Sequence, residues 1–211
     1  MALFGGEGLV CERGGRIVFG GLGFAADPGD ALVLTGPNGS GKSSLLRLMA
    51  GLTPPAAGRI LWDGRPIAEA PETHAARLRF LGHLDAVKPA LTVAQNLGVW
   101  LRLAGVDGVA AAAALDRFGL AALAGTPARF LSAGQRRRLA LARIVAVPAP
   151  LWLLDEPTVA LDTAAVAAVE AAIAAHRRAG GIVAVSTNVA LAVPGARGVD
   201  VGRHAVAPDA A

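Results

Sequence analysis

The loop Gly36-Pro37-Asn38-Gly39-Ser40-Gly41-Lys42-Ser43 constrains this chain more than any other stretch. It follows the apolar run Ala31-Leu32-Val33-Leu34-Thr35, which reads as a buried strand. It precedes Ser44-Leu45-Leu46-Arg47-Leu48-Met49-Ala50, whose residues favour a helix. A strand, a glycine loop and a helix in that order are what a phosphate-binding motif requires. Three glycines let successive backbone N–H groups wrap an anion, and the helix N-terminus adds partial positive charge. Lys42 is placed to reach the β- and γ-phosphates of a nucleotide and the Ser43 hydroxyl to ligate Mg²⁺, with Ser44 beside them.

Composition sharpens this reading. The chain has 18 arginines and two lysines, so a lysine here invites a specific reason. A compact ammonium suits a phosphate cradle better than a guanidinium fork does. Serine is equally scarce: of five, Ser40, Ser43 and Ser44 are in or beside this loop and Ser132 opens another motif. At 211 residues the chain can bury one sizeable core, with room for a subsidiary lobe. Apolar residues make up 54%, yet no stretch is long and charge-free enough for a membrane helix, because Arg143, Pro148 and Pro150 interrupt the nearest one. No secretion signal is expected at the N-terminus, and the single Cys11, read as a small packed residue, fits a reducing compartment. The net charge of +4 comes from dispersed residues, which argues against a nucleic-acid partner.

Along the chain, short apolar segments between residues 9 and 34 read as antiparallel strands leading into the loop. Arg59 to Ile67 reads as a hairpin around Asp63-Gly64. Residues 71 to 83 run from a helical stretch into the strand Leu78–Leu81, which ends at Gly82-His83. From Thr92 to Leu123 the spacing is helical, broken at Gly105 and Gly119, and reads as a small lobe. Ser132 is a good N-cap for the helix that follows. The strand Leu151–Leu154 then ends in Asp155-Glu156. Adjacent carboxylates at the end of a buried strand are costly unless a cation or a reaction uses them. In a parallel sheet that end lies beside the phosphate loop, so Asp155 can hold Mg²⁺ and Glu156 can orient or deprotonate water. Ala160-Leu161-Asp162, a helix to Arg178 and a last apolar strand from Ile182 complete the pattern.

The phosphate loop, Leu131-Ser132-Ala133-Gly134-Gln135, the strand ending in Asp155-Glu156 and Ala160-Leu161-Asp162, in this order, resemble the nucleotide-binding domain of ABC ATPases. The resemblance implies an α/β P-loop NTPase of ABC type. It has a RecA-like core, an N-terminal antiparallel β subdomain and a helical lobe at about 84–140, together forming a single domain over 1–211. It implies ATP and Mg²⁺ as ligands and a head-to-tail dimer, in which each ATP is held by one subunit's phosphate loop and by Ser132, Gly134 and Gln135 of the other. Gly82-His83 with Asp85-Ala86-Val87-Lys88-Pro89, Leu91-Thr92-Val93 and Asn96-Leu97 are similar to the haem exporter ATP-binding subunits of cytochrome c maturation. That family implies an ATPase energising separate membrane subunits in haem delivery and haem-chaperone release, peripheral on the cytoplasmic face of the bacterial inner membrane.

Three positions depart from the wider ABC pattern. His83 stands nine residues before Thr92, where a Mg²⁺- and water-sensing glutamine is usual, and could instead be a strand-end residue satisfied by backbone. Asn188 stands where a γ-phosphate-contacting histidine is usual; an amide donates a hydrogen bond but carries no charge. Arg13 matches the adenine-stacking aromatic by position, and either stacks on the base or is an ordinary surface arginine. Competing functions are a soluble ABC ATPase acting on nucleic acid or ribosomes, which usually needs paired domains or long insertions, and a phosphate-loop kinase, which leaves the Ser132 motif without a purpose.

Overall fold

Two patterns of apolar residues produce two sheets. In the computed structural model, which describes residues 2–189 and 191–206, the chain opens with β1 (Phe4–Arg13) and β2 (Arg16–Ala26), antiparallel around Gly14-Gly15. Both turn glycines have positive φ, 56° and 77°, the tight-hairpin geometry that other residues resist. Next come β3 (Ala31–Thr35), α1 (Lys42–Met49), β4 (Ala57–Trp62), β5 (Arg65–Pro66), α2 (Pro71–Ala76) and β6 (Leu78–Leu81). The helices α3 (Val93–Leu103), α4 (Val109–Arg117) and α5 (Ala133–Ala146) follow, then β7 (Leu151–Asp155), α6 (Thr163–Arg178), β8 (Ile182–Ser186) and β9 (Arg197–Asp200).

The antiparallel sheet has the order β2-β1-β4-β5 and the parallel sheet β6-β7-β8-β3-β9. Three sequence expectations need correction. The first strand begins at Phe4, well before residue 9, and the last element of the 9–34 stretch, β3, leaves the antiparallel pair to join the parallel sheet. The strand from Ile182 is not the last, because β9 pairs parallel to β3 at the sheet edge.

The inner strands of the parallel sheet, β3, β7 and β8, are covered on both faces, which is why they read as unbroken apolar runs. Side chains alternate between two cores. Leu151, Leu153, Ile182 and Ala184 meet α1 and the antiparallel sheet through Phe4, Phe19, Leu45 and Met49. Trp152, Leu154, Val183 and Val185 face α5, α6 and the helical lobe. Each fully buried leucine contributes roughly 1.5–3 kcal/mol of transfer free energy.

The lobe has defined stops and a tie to the sheet. Gly105 and Gly119 adopt left-handed φ of 66° and 63° just past the ends of α3 and α4, where a Cβ would be strained. Thr92 and Gln95 cap α3 reciprocally, satisfying two N–H groups that the helix cannot. Arg143 on α5 lies 4.6 Å from the Trp100 ring of α3 and donates from Nη2 to Phe80 O at 2.9 Å.

Two histidines make the fold acid-sensitive. His74 is buried, stacks on Phe4 and shares a 2.8 Å hydrogen bond with Met49 O, while its Nδ1 has no partner among the described residues. His176 stacks on Trp152 at 4.0 Å between ring centroids. Burial lowers the pKa of both below the usual 6.5, more than their backbone hydrogen bonds raise it. The unfolded chain therefore takes up protons first as pH falls. The stability that neutral His74 and His176 contribute is complete above about pH 6.5 and is lost below it, by up to about 1.4 kcal/mol per pH unit per group. Thermal unfolding followed from pH 7.5 to 5.5 is expected to show a falling midpoint, reduced in slope by His74→Gln; a midpoint independent of pH contradicts this.

Candidate active site

The site is assembled where β3, β8 and β7 end side by side. The phosphate loop leaves β3 and enters α1, and its glycines are dictated by close approach. Gly36 has φ 137°, and a Cβ there would lie 2.7 Å from Ser40 Oγ and 2.9 Å from Gly202 N. Gly41 has φ 102°, and its Cβ would meet Phe19 at 2.7 Å and Val18 at 2.9 Å, so the β1–β2 hairpin packs directly on the loop. Lys42 is buried and donates from Nζ to Gly36 O at 2.8 Å and Pro37 O at 3.2 Å. No carboxylate pairs with it among the described residues, so the ammonium is held in the loop with only carbonyl partners. Buried Ser40 has a hydroxyl without a partner among the described residues.

A cavity of about 360 Å³ opens over this loop. Arg13, Asn38, Gly39, Gly41, Lys42, Ser43, Ser44, Glu156 and Asn188 all line it, so residues spread over most of the chain converge on one place. Asp155, on β7, adjoins it: the Ser43 hydroxyl donates to Asp155 Oδ1 at 2.9 Å. The second Asp155 oxygen makes no hydrogen bond among the described residues. One hydroxyl and one carboxylate with an uncommitted oxygen are hard oxygen donors that would fit a Mg²⁺ ion, with Ser43 and Asp155 as the residues that would hold it. The unpaired ammonium and the open glycine loop fit a polyphosphate.

Ser186 ties these groups together. It ends β8, pairs in register with Asp155 on one side and Leu34 on the other, and is fully buried. Its hydroxyl donates to the same Asp155 Oδ1 at 2.6 Å. Ser186 was not among the sequence candidates, although serine scarcity pointed to it as clearly as to the loop serines. Glu156 has a left-handed φ of 47°, uncommon outside glycine, and its Oε2 accepts from the Asn188 N–H at 3.2 Å. Asn188 also donates from Nδ2 to Asn38 Oδ1 at 3.1 Å.

Other candidates lie elsewhere. His83 is exposed just beyond β6 and makes no hydrogen bond among the described residues. Ser132 and Gln135 cap α5 reciprocally: the Gln135 N–H donates to Ser132 Oγ at 3.2 Å and the Ser132 N–H to Gln135 Oε1 at 2.8 Å. Gly134 is required within this chain, since a Cβ would lie 2.6 Å from Ala160 O. Cys11 is buried, and burial raises its thiol pKa, partly opposed by a hydrogen bond with Ser44; it is a packed residue, as expected.

A cradle at a strand–helix junction, joined through a hydroxyl to a carboxylate two strands away, defines a P-loop NTPase. The sequence pattern of the ABC transporter family matches residues 19–159. Two solved structures share the fold. One described as a putative ABC transporter ATP-binding protein from Pyrococcus furiosus has a TM-score of 0.84 at 24% identity, covering 96% of this chain and 99% of the other. The ATP-binding subunit of an ABC transporter gives 0.81 at 23%, covering 89% and 80%. Among proteins of known name, the cytochrome c biogenesis ATP-binding export protein CcmA of Paramagnetospirillum magneticum is 55% identical over 98% of this chain and 97% of its own length. CcmA of Rhodospirillum rubrum is 55% identical over 92% of this chain and 84% of its own. The chain therefore belongs to the CcmA family of ABC transporter ATP-binding proteins. As such it is an ATPase subunit, and no helix among the described residues is long and apolar enough to cross a membrane.

Proposed function

We propose that this chain is the ATP-hydrolysing subunit of an ABC-type membrane complex in cytochrome c biogenesis, energising haem export and haem-chaperone release. The observation that carries the ATPase chemistry is the Ser43–Asp155 hydrogen bond beside the buried Lys42. The near full-length similarity to CcmA proteins supports the biological setting. The chain works as one nucleotide-binding domain, with residues 84–140 as its helical lobe, peripheral on the cytoplasmic face of the inner membrane.

In this reading the loop N–H groups of Gly39 to Ser43 and the Lys42 ammonium bind the β- and γ-phosphates, and Arg13, on the cavity rim, stacks on the adenine. Mg²⁺, held by Ser43 and Asp155, supplies counter-charge to the phosphates when bound. Glu156 takes the proton of the attacking water at its free carboxylate oxygen, while Oε2 is fixed by Asn188 N–H. His83 stands near the end of β6 to sense the loaded site. Ser132, Gly134 and Gln135 sit at the α5 N-terminus, outside the chain's own cavity lining, which supports their serving the ATP of a second copy in a head-to-tail dimer. A helix N-terminus is suited to a γ-phosphate, and such an interface closes only while that phosphate is present.

The setting is tested by deleting the gene in its host and measuring covalent haem in c-type cytochromes. Loss of that signal, restored by the wild-type chain, is expected; undiminished c-type cytochromes in the deletion strain overturn the proposal. Asn188 gives a second expectation. Its neutral amide places no positive charge on the γ-phosphate, so Asn188→His should raise turnover severalfold in the assembled complex at unchanged ATP affinity. Turnover equal to wild type contradicts that role.

A further inference from the structure

Arg137 lies on α5, one turn past the Ser132 cap, in a run of three arginines. It is the buried one of the three, only 5% exposed, whereas Arg136 and Arg138 are partly open. Its guanidinium joins three segments of the site. Nη1 donates to Gly82 O at 3.0 Å and to Asp85 Oδ1 at 2.9 Å; Nη2 donates to Asp155 O at 2.5 Å and Glu156 O at 2.7 Å. The first pair lies at the end of β6 and in the segment after His83, the second at the two consecutive carbonyls where β7 ends.

Burying a guanidinium is costly, and a simple tie between helix and strand could be made by apolar packing. What packing cannot do is grip a particular peptide. The left-handed conformation of Glu156 is held from both sides. Its N–H donates to Ser186 O at 3.0 Å and to Ser186 Oγ at 3.2 Å, and its carbonyl accepts from Arg137. That backbone conformation determines where the Glu156 carboxylate points, and a non-glycine residue keeps such a φ only when its surroundings enforce it.

We infer that Arg137 is a positioning residue for hydrolysis: it clamps the Glu156 peptide, aims the carboxylate at the water, and is itself oriented by Asp85. Displacement of α5 or of the His83–Asp85 segment is thereby passed to Glu156. The inference rests on the reading of Glu156 as the group that activates water.

The test uses the full chain purified with its membrane companions and compares wild type, Arg137→Gln, Arg137→Lys, Asp85→Asn, the Asp85→Asn/Arg137→Gln double variant and Glu156→Gln. Arg137→Gln is expected to lower kcat about tenfold or more, with KM and ATP affinity within about twofold of wild type. A positional error at the reacting group costs rate and not binding. Arg137→Lys, which keeps charge but not the fork, is expected to recover little. Asp85→Asn should lower kcat by a smaller factor, and the double variant should be no slower than Arg137→Gln alone. Wild-type kcat in Arg137→Gln, or a parallel loss of kcat and ATP affinity, overturns the inference. If Arg137→Gln does not fold, Asp85→Asn decides: a reduced kcat at unchanged KM supports the clamp, and an unchanged kcat refutes it. Glu156→Gln separates the two levels. Full turnover in that variant refutes the underlying reading, whereas an inactive Glu156→Gln beside a fully active Arg137→Gln refutes the clamp alone.

Discussion

Replacing Lys42 with alanine is expected to reduce ATP affinity at least about a hundredfold, the largest binding effect of any single change in this chain. The ammonium is buried in the loop with two carbonyl partners and no carboxylate among the described residues, so it is available to a phosphate. Charge-assisted hydrogen bonds contribute about 1.5–3 kcal/mol each, and two of them account for a factor of about a hundred or more. Lys42→Arg is expected not to restore binding, because a planar fork does not fit where a compact ammonium does. Calorimetric titration of nucleotide against the folded variants checks this. Affinity within threefold of wild type for Lys42→Ala would remove the phosphate loop from the account.

The largest effect on turnover is expected from Glu156→Gln. The amide has the same shape, and its oxygen can still accept from Asn188 N–H, so fold and ATP binding should survive. What disappears is the base, and positioned general bases contribute roughly 10²- to 10⁴-fold. Steady-state phosphate release should fall by at least about a hundredfold. With hydrolysis blocked and nucleotide held, the dimer of the proposed mechanism should accumulate, visible as a doubled mass in light scattering with ATP and absent with ADP. Turnover within tenfold of wild type contradicts the role of Glu156; a blocked enzyme that remains monomeric with ATP contradicts the dimer.

How much of this was legible depended on whether the signal was local. The phosphate loop declares itself because strand, glycines and helix are contiguous, and Asp155-Glu156 because two carboxylates interrupt an apolar run. Both were read in the right elements. Arg197–Asp200 was not read as a strand, since β9 lies at the sheet edge and shows no apolar alternation. The start of β1 was hidden by Gly5, Gly6 and Gly8, which carry no strand preference. Arg137 escaped because its partners lie 18 to 55 residues away and are mostly backbone carbonyls, which every residue possesses. Ser186 escaped for the opposite reason: serine scarcity marks it in the sequence, but only the register of β8 against β7 gives it a partner.

The position of β8 between β3 and β7 works as a ruler. Neighbouring strands sit about 4.8 Å apart, so the backbones of β3 and β7 are held two strand spacings apart, roughly 10 Å, and the loop that leaves β3 spans that gap where Ser43 reaches Asp155. Insertions in surface loops leave that separation intact. A one-residue slip of β8 does not, because it turns Ser186 to the opposite face and puts Val185 or Thr187 opposite Asp155 in its place. Variation among related sequences should therefore accumulate in the connections and spare the register of these three strands.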